Sequence, residues 1–196
     1  MSFKRFIGKI GLKIGGWRTV NNVPADLGNA VCIVAPHTAI ADFFVGMCYY
    51  WYYGTKYKFM IKSEFFKTRF VSWALYKMGA VRVDRGKKNH LVEQMIDMFS
   101  HNEDTHLIIC PEGTRKKVSH WKRGFHLIAQ GANVPILLGY FDYKKKICGI
   151  EKVFYPSGDY DKDLQEIWDY YRKLQPMGKH PEQFNLYEEP ENHPAP

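Results

Sequence analysis

A histidine and an aspartate follow a short apolar segment, and they form the first group in the sequence that could do chemistry. The segment Ala30–Val34 predicts a buried strand, and His37 and Asp42 come shortly after it. A neutral imidazole can remove a proton near neutral pH, and a neighbouring carboxylate can hold its tautomer. Residues five apart on one helix point ~140° apart, so a contact requires the backbone to turn between them. Alternatively, Asp42 only caps the next helix and His37 is an ordinary loop residue.

A second polar group follows the strand-like run 105–110. It offers a carboxylate, a glycine with a free N–H, a hydroxyl and a guanidinium within one loop: Glu112, Gly113, Thr114 and Arg115. This combination suits a phosphate monoester, with Arg115 as a bidentate donor. Basic residues, among them Lys122, continue outward from the loop. An ordinary turn before a basic helix is the alternative interpretation.

A third strand-like segment, residues 79–85 (GAVRVDR), ends in Asp84 and Arg85. In open α/β sheets, ligands bind at the carboxyl ends of the strands. We therefore expect the His37/Asp42 pair, Arg85 and the Glu-Gly-Thr-Arg loop to meet at one edge of a sheet. A salt bridge between Asp84 and a neighbouring arginine is the alternative role for this charged strand end.

The elements that would position these residues alternate along the chain. Apolar runs near 30–35, 58–61, 80–83, 106–110 and 134–141 predict strands, and helical patterns near 41–53, 64–77, 88–100 and 123–131 lie between them. A hairpin around 143–146 and a helix near 160–174 follow. This order predicts a single α/β domain with a mostly parallel mixed sheet flanked by helices.

An amphipathic helix is predicted to precede this domain. Its apolar residues fall within ~100° of a helical wheel: Phe3, Phe6, Ile7, Ile10, Ile14 and Trp17. Lysine and arginine side chains flank the stripe, as in helices that lie in a membrane interface. Docking of the stripe on the protein's own core is the equal alternative. The predicted organisation is a membrane-interface helix (1–20), a domain (21–175) and a Pro/Glu-rich tail (176–196).

Charge and composition narrow the class of partner. The chain carries 28 Lys+Arg against 20 Asp+Glu, and the balance is +13 for residues 1–150 but −5 for residues 151–196. A basic body indicates an anionic partner such as phosphate groups, nucleic acid or anionic lipid, or else a merely solvated basic surface. The four cysteines form no CxxC pair and are expected to be reduced, and no metal is expected. We find neither a membrane-spanning segment nor a signal peptide.

Together these motifs resemble those of the glycerolipid acyltransferases, the group that includes 1-acylglycerol-3-phosphate acyltransferase. His37 and Asp42 in HTAIAD match the HxxxxD motif of that family. Residues 79–85 resemble its second motif, residues 110–115 (CPEGTR) its third and residues 134–137 (VPIL) its fourth, while WKRG resembles the basic-glycine stretch between the last two. The likeness covers roughly residues 25–145. Four residues depart from the common pattern of the family: Pro36, Ala39, Ile40 and Cys110. These departures leave the identity of the acyl acceptor undecided.

The resemblance implies acyl transfer from a thioester, acyl-CoA or acyl carrier protein, to a hydroxyl of a lysophospholipid. His37 would be the base and Asp42 its partner, with Arg85, Gly113, Thr114, Arg115 and Lys122 around the acceptor's phosphate. Glu112 would orient Arg115 or a glycerol hydroxyl. No cofactor beyond the acyl donor is implied. The expected location is cytoplasmic, at the inner face of the cytoplasmic membrane.

Three alternatives remain. The acceptor could be a lyso-aminolipid without the phosphate that the arginines suit. The protein could instead bind membrane or lipid without turnover, although the intact His37/Asp42 pair argues against this. A nucleic-acid-binding module would fit the basic body, but no DNA- or RNA-binding motif is present, and nucleic acid is not expected as a partner.

Overall fold

The computed structural model describes residues 2–83 and 88–184. Within them, one sheet contains seven strands: β1 (Arg18–Asn21), β2 (Ala30–Val34), β3 (Lys56–Lys62), β4 (Ala80–Val83), β5 (Thr105–Ile109), β6 (Ile136–Asp142) and β7 (Ile147–Phe154). Their spatial order is β1-β7-β6-β2-β5-β3-β4. Neighbouring strands run parallel except β6 and β7, which form an antiparallel hairpin. The predicted α/β fold with a mostly parallel mixed sheet is confirmed.

Helices connect the parallel strands and cover both faces of the sheet. They are α1 (Phe3–Ile14), α2 (Ala41–Tyr53), α3 (Arg69–Lys77), α4 (Lys88–Ser100), α5 (Gly124–Gly131) and α6 (Tyr160–Leu174), with short 3-10 helices at Ser63–Phe65 and Pro181–Gln183. The residue before α6, Asp159, accepts backbone N–H groups of Asp161 and Lys162, which satisfies donors that the helix itself leaves unpaired.

The central strand β2 is buried on both faces, which is why its sequence is apolar throughout. Val31 and Ile33 pack into one hydrophobic cluster with Leu107, while Cys32 and Val34 pack into the other with Leu137. Successive side chains of a strand point to opposite faces of the sheet, which explains this division. Because both faces are buried here, the sequence of β2 does not alternate between apolar and polar residues. Packing on both faces therefore fixes the position of β2 and of the loop that begins at its carboxyl end.

Two details of the elements differ from the sequence prediction. Strand β1 was not predicted, because its four-residue sequence, RTVN, is short and contains only one apolar residue; among the described residues it is an edge strand that pairs with β7. Helix α3 begins at Arg69 and not near 64, because the Thr68 hydroxyl accepts the N–H of Val71 and starts the helix there. The segment after β4 that carries Arg85 lies outside the described residues.

Helix α1 docks on α2 through a face made of glycines and Leu12. A Cβ atom at Gly8 would lie 2.6 Å from the carbonyl oxygen of Cys48, and one at Gly11 would lie 2.6 Å from the Cys48 sulfur. Only glycine allows the two helices to approach this closely. At the other end of the contact, the Arg5 guanidinium donates to the carbonyl of Tyr53 over 2.8 Å.

Four of the six residues in the predicted apolar stripe lie outside this contact, whereas Trp17, which follows α1, packs against Phe141 and Tyr143. Phe3 is 77% exposed and Ile14 is 83% exposed, and Phe6 and Ile10 are exposed as well. Docking of the stripe on the protein's own core, one of the two alternatives from the sequence, is therefore wrong for these side chains. No helix among the described residues is long and apolar enough to cross a membrane.

Candidate active site

The loop between β2 and α2 turns so that Asp42 reaches back to His37. Oδ2 of Asp42 lies 3.0 Å from Nδ1 of His37. The same oxygen accepts the backbone N–H groups of Thr38 and Ala39, each over 3.0 Å. Asp42 is in the first turn of α2 and is 2% exposed. The carboxylate thus organises the loop and also pairs with the imidazole.

The second oxygen of Asp42 binds a residue that sequence reasoning missed. The Tyr143 hydroxyl, in the turn between β6 and β7, donates to Oδ1 of Asp42 over 2.6 Å. Burial, followed by this hydrogen bond, raises the pKa of Tyr143 far above 10, so the hydroxyl keeps its proton. The sequence predicted a hairpin here, but only the pairing of β6 with both β7 and β2 brings its turn to the loop after β2.

These contacts set the tautomer and the basicity of His37. A carboxylate only accepts hydrogen bonds, so Nδ1 of His37 carries the proton and Nε2 of the neutral ring keeps its lone pair. Burial lowers the pKa of His37, but the hydrogen bonds to Asp42 and the Cys110 side chain, together with the charge of Asp42, outweigh it and raise the pKa from 6.5 to about 10. The ring is a stronger base than free histidine, and 22% of its side chain remains exposed.

Glu112 ties the loop after β5 to the loop after β2. Its Oε1 accepts the backbone N–H of His37 over 3.0 Å, and β2 and β5 are neighbouring parallel strands whose carboxyl ends meet. Glu112 is 5% exposed, and its Oε2 has no hydrogen-bond partner among the described residues. Burial raises the pKa of this carboxyl from 4.5 to about 7. Among the described residues Glu112 contacts the His37 backbone and makes no hydrogen bond to Arg115, and its expected role in orienting Arg115 or a glycerol hydroxyl stays a prediction.

Gly113 forms the turn that follows Glu112. Its φ of +66° lies in the left-handed region that favours glycine. Its N–H donates to the carbonyl of Cys110 over 2.9 Å, so the expected free N–H is absent. A Cβ at this position would lie 2.7 Å from the terminal carbon and nitrogen of the exposed Lys122, which crosses over the glycine.

A cavity of about 500 Å³ adjoins the loop that carries the His37/Asp42 pair, although neither His37 nor Asp42 is among the residues that line it. One wall is formed by residues 38–41, which lie between the two catalytic candidates, and a second by Thr114, Arg115 and Lys116. The third wall, Lys179, His180 and Gln183, was not anticipated from the sequence. Of the residues predicted to bind substrate, Thr114 and Arg115 line this cavity. Glu112, Gly113 and Lys122 do not line it.

The carboxyl end of β4 lies at the same edge of the sheet but far from the pair. Strands β5 and β3 separate β4 from β2, which places the end of β4 about 14 Å from the end of β2 at the usual strand spacing. Arg85 follows Val83 in a part of the chain that is not described. In the described ranges 2–83 and 88–184, no group of three or more His, Cys, Asp or Glu side chains is arranged to hold a metal ion.

The fold and the His37/Asp42 contact place the chain among α/β proteins with a candidate acid–base pair, and comparison with known proteins identifies its family. A family model described as Acyltransferase matches residues 17–137, which is more than half of the chain. The chain belongs to this acyltransferase family, and the resemblance to the glycerolipid acyltransferases is confirmed. The protein is thus an O-acyltransferase by family.

A solved structure shares the fold over most of both chains. It is the crystal structure of the 1-acyl-sn-glycerophosphate (LPA) acyltransferase PlsC from Thermotoga maritima. The TM-score is 0.62 at 17% sequence identity, and the match covers 90% of this chain and 80% of that chain. At this identity the likeness concerns the fold. No curated protein matches the sequence.

Proposed function

We propose that the protein transfers a fatty acyl group from a thioester to a hydroxyl of a lysophospholipid, with 1-acylglycerol-3-phosphate as the preferred acceptor. The observation that carries the proposal is the 3.0 Å contact between His37 and Asp42 beside a cavity lined by cations. The acyl donor is acyl-CoA or acyl carrier protein, both of which are anionic and suit the basic body of the chain.

In the proposed reaction, Nε2 of His37 takes the proton of the acceptor hydroxyl while the oxygen attacks the thioester carbonyl carbon. The tetrahedral intermediate collapses as the carbon–sulfur bond breaks, and the leaving thiolate takes the proton from Nε2. Asp42 holds Nδ1–H throughout and stabilises the imidazolium, the role of the carboxylate in a Ser-His-Asp triad. The acceptor attacks directly, so no enzyme nucleophile is required.

The charges of the cavity favour an acceptor with a phosphate. Arg115 and Lys116 line it, and no aspartate or glutamate is among its lining residues. A guanidinium can bind a phosphate through two parallel hydrogen bonds. Ile40 also lines the cavity and is 62% exposed, which suits the apolar chain that both candidate acceptors carry. A lyso-aminolipid without phosphate is therefore the alternative acceptor against which the proposal is tested.

Helix α1 supports a peripheral location at a membrane. Its glycine face is occupied by α2, while its exposed Phe and Ile side chains form a separate stripe. Lys9 and Lys13 are exposed and lie between these two faces on a helical wheel. A helix with one docked face, one apolar face and one basic face can insert its stripe at an anionic membrane surface while remaining attached to the domain.

Thiol release from palmitoyl-CoA by the purified protein in detergent tests the proposal. The assay is run without acceptor, with 1-acylglycerol-3-phosphate, and with a lyso-aminolipid of the same chain length. Release that depends on 1-acylglycerol-3-phosphate is the expected result. Release only with the lyso-aminolipid would show that this lipid, and not 1-acylglycerol-3-phosphate, is the acceptor. No release with any acceptor, from palmitoyl-CoA or from palmitoyl-acyl carrier protein, would favour a lipid-binding protein without turnover.

A further inference from the structure

The chain segment after α6 crosses the candidate active site and is held there by its backbone. Gln175 ends α6 in the left-handed conformation, with a φ of +47°. Two residues on, the carbonyl of Met177 accepts the backbone N–H of Tyr143 over 2.8 Å. Tyr143 also holds Asp42 through its hydroxyl. The crossing segment, residues 176–184, is hereafter called the strap.

Gly178 seats the strap directly on the loop after β2. A Cβ at this position would lie 2.7 Å from Oγ1 of Thr38 and 3.2 Å from Cγ of Pro36, so no larger residue fits without displacing that loop. Oγ1 of Thr38 accepts the backbone N–H of His180 over 3.1 Å. Thr38 is almost fully buried under these contacts. The strap is therefore a fixed wall of the site, although it lies beyond the residues that the family model matches.

The position of the strap brings further cationic side chains to the cavity. Lys179 and His180 are exposed, and both line the cavity that Arg115 and Lys116 also line. Three permanent cations from two segments thus face one space, and no carboxylate lines it. Glu182 belongs to the strap but does not line the cavity, and its Oε1 lies 3.6 Å from Nδ1 of His180. Cations that converge from separate segments with no anion among them favour a phosphate ligand.

We propose that the strap completes a phosphate-binding subsite, in which Lys179 acts together with Arg115 and Lys116 on a phosphate group of one of the two substrates. This inference rests on the proposed acyl transfer and extends it to a part of the chain outside the shared motifs. The phosphate belongs either to the lysophospholipid acceptor or to the nucleotide of acyl-CoA. Gly178 and Thr38 position the lysine, and Lys179 makes the contact.

The test compares the wild type with Lys179→Met and Lys179→Arg, and uses Lys173→Met as the matched control. Lys173 is an exposed lysine near the end of α6 that does not line the cavity. Two ligand pairs are titrated in detergent by equilibrium binding: 1-acylglycerol-3-phosphate against 1-acylglycerol, and palmitoyl-CoA against palmitoyl-pantetheine. The acceptor pair differs only in its phosphate, whereas palmitoyl-pantetheine lacks both the phosphates and the adenosine of palmitoyl-CoA. The change in each ratio between a variant and the wild type therefore measures what the substituted side chain contributes to recognition of the phosphate-bearing group.

Lys179→Met is expected to lower this ratio for one pair by about tenfold, because a charge-assisted hydrogen bond is lost. Lys179→Arg should keep the ratio within about twofold of wild type, and Lys173→Met should leave it unchanged. A fall in the first pair assigns the phosphate to the acceptor, and a fall in the second assigns it to the donor. Unchanged ratios for both pairs would overturn the subsite.

Binding and turnover separate this inference from the proposed function. If the wild type transfers no acyl group but the ratio still falls in Lys179→Met, the acyl-transfer proposal fails and the subsite stands. If the wild type turns over with the expected acceptor and Lys179→Met changes neither ratio nor either KM, the subsite fails alone. Gly178→Ala adds a positional check, since it should move the strap and lower the same ratio while Lys179 is intact.

Discussion

The Tyr143 hydroxyl lies 2.6 Å from Oδ1 of Asp42, although 101 residues separate the two in sequence. The bond leaves both oxygens of Asp42 engaged, since Oδ2 holds His37 and two backbone N–H groups. A carboxylate fixed on both oxygens cannot rotate away from the imidazole. The hairpin turn is thus part of the support for the catalytic pair.

Tyr143→Phe removes the hydroxyl and leaves Oδ1 of Asp42 buried without a partner. We expect the free energy of unfolding to fall by about 1–3 kcal/mol, the usual cost of an unsatisfied buried group. The turnover number should fall as well, but by less than in a variant without His37. Denaturant unfolding and thiol release measure the two effects. Tyr155→Phe, at an exposed tyrosine, is the control. Equal stability of the two variants would contradict the role assigned to Tyr143.

Asp42→Asn tests the source of the high basicity of His37. In the wild type, the raised pKa keeps the ring protonated at neutral pH, so kcat/KM should increase with pH well above 6.5 as the basic form is populated. In the variant, the hydrogen bond to a carboxylate and its charge are lost, while burial still lowers the pKa. The rising limb should therefore move to lower pH, and the plateau rate should fall by about 10²-fold or more. A rising limb of the kcat/KM profile at the same pH in the variant and the wild type would contradict the role of Asp42 in raising the pKa of His37.

Glu112→Gln is expected to change how stability depends on pH. The carboxyl has a pKa raised by burial to about 7, against 4.5 for the free group. The folded state therefore holds the proton more tightly, and this group's contribution to stability is lost as pH rises from 4.5 through 7. A glutamine does not titrate, so the variant should gain stability relative to wild type by about 3 kcal/mol between pH 4.5 and pH 8.

Unfolding curves in denaturant at several pH values measure that difference for Glu112→Gln. Glu103→Gln is the control, because Glu103 is exposed in the turn before β5 and lies outside the site. A constant difference between Glu112→Gln and wild type across this pH range would show that the Glu112 carboxyl does not titrate as described.

The exposed stripe of α1 should bind anionic vesicles. Phe6→Ser with Ile10→Ser removes apolar area from the stripe without touching the glycine face that packs on α2. We expect this double variant to float with phosphatidylglycerol-containing vesicles at a markedly lower fraction than wild type, with unchanged thermal stability. Tyr155→Ser is the control, since Tyr155 is 70% exposed and lies in the segment between β7 and α6. Equal flotation of all three proteins would exclude the stripe as the membrane contact.

Local sequence patterns sufficed for most of the elements that build the site. The apolar run of β2 and the helical pattern of α2 are consequences of burial, which marks the sequence directly, and the loop between them was placed correctly. No packing role is predicted for the glycines of α1 from the sequence pattern. Their packing role depends on the position of Cys48 in α2, a tertiary relationship that no periodicity reports.

The parts of the site that come from distant segments were not predictable in the same way. Tyr143 and Lys179 carry no local signal, because each reaches the site through the sheet order and the course of the chain after α6. Glu112 was expected to orient Arg115 or a glycerol hydroxyl, and its hydrogen bond to the His37 backbone was not predicted. In the fold, parallel pairing of β2 and β5 brings the His37 backbone closer. The division of the chain at residues 20 and 175 stays a prediction.

The most direct test of the account is acceptor-dependent thiol release from palmitoyl-CoA by His37→Ala and by His101→Ala. His101 is a matched control, because its Nδ1 lies 3.7 Å from Oδ1 of Asp97 on the exposed surface at the end of α4. The account predicts that His101→Ala keeps wild-type turnover with 1-acylglycerol-3-phosphate, and that His37→Ala loses about 10²–10⁴-fold while the protein remains folded. Near-wild-type turnover by His37→Ala would contradict the role of His37 as the base.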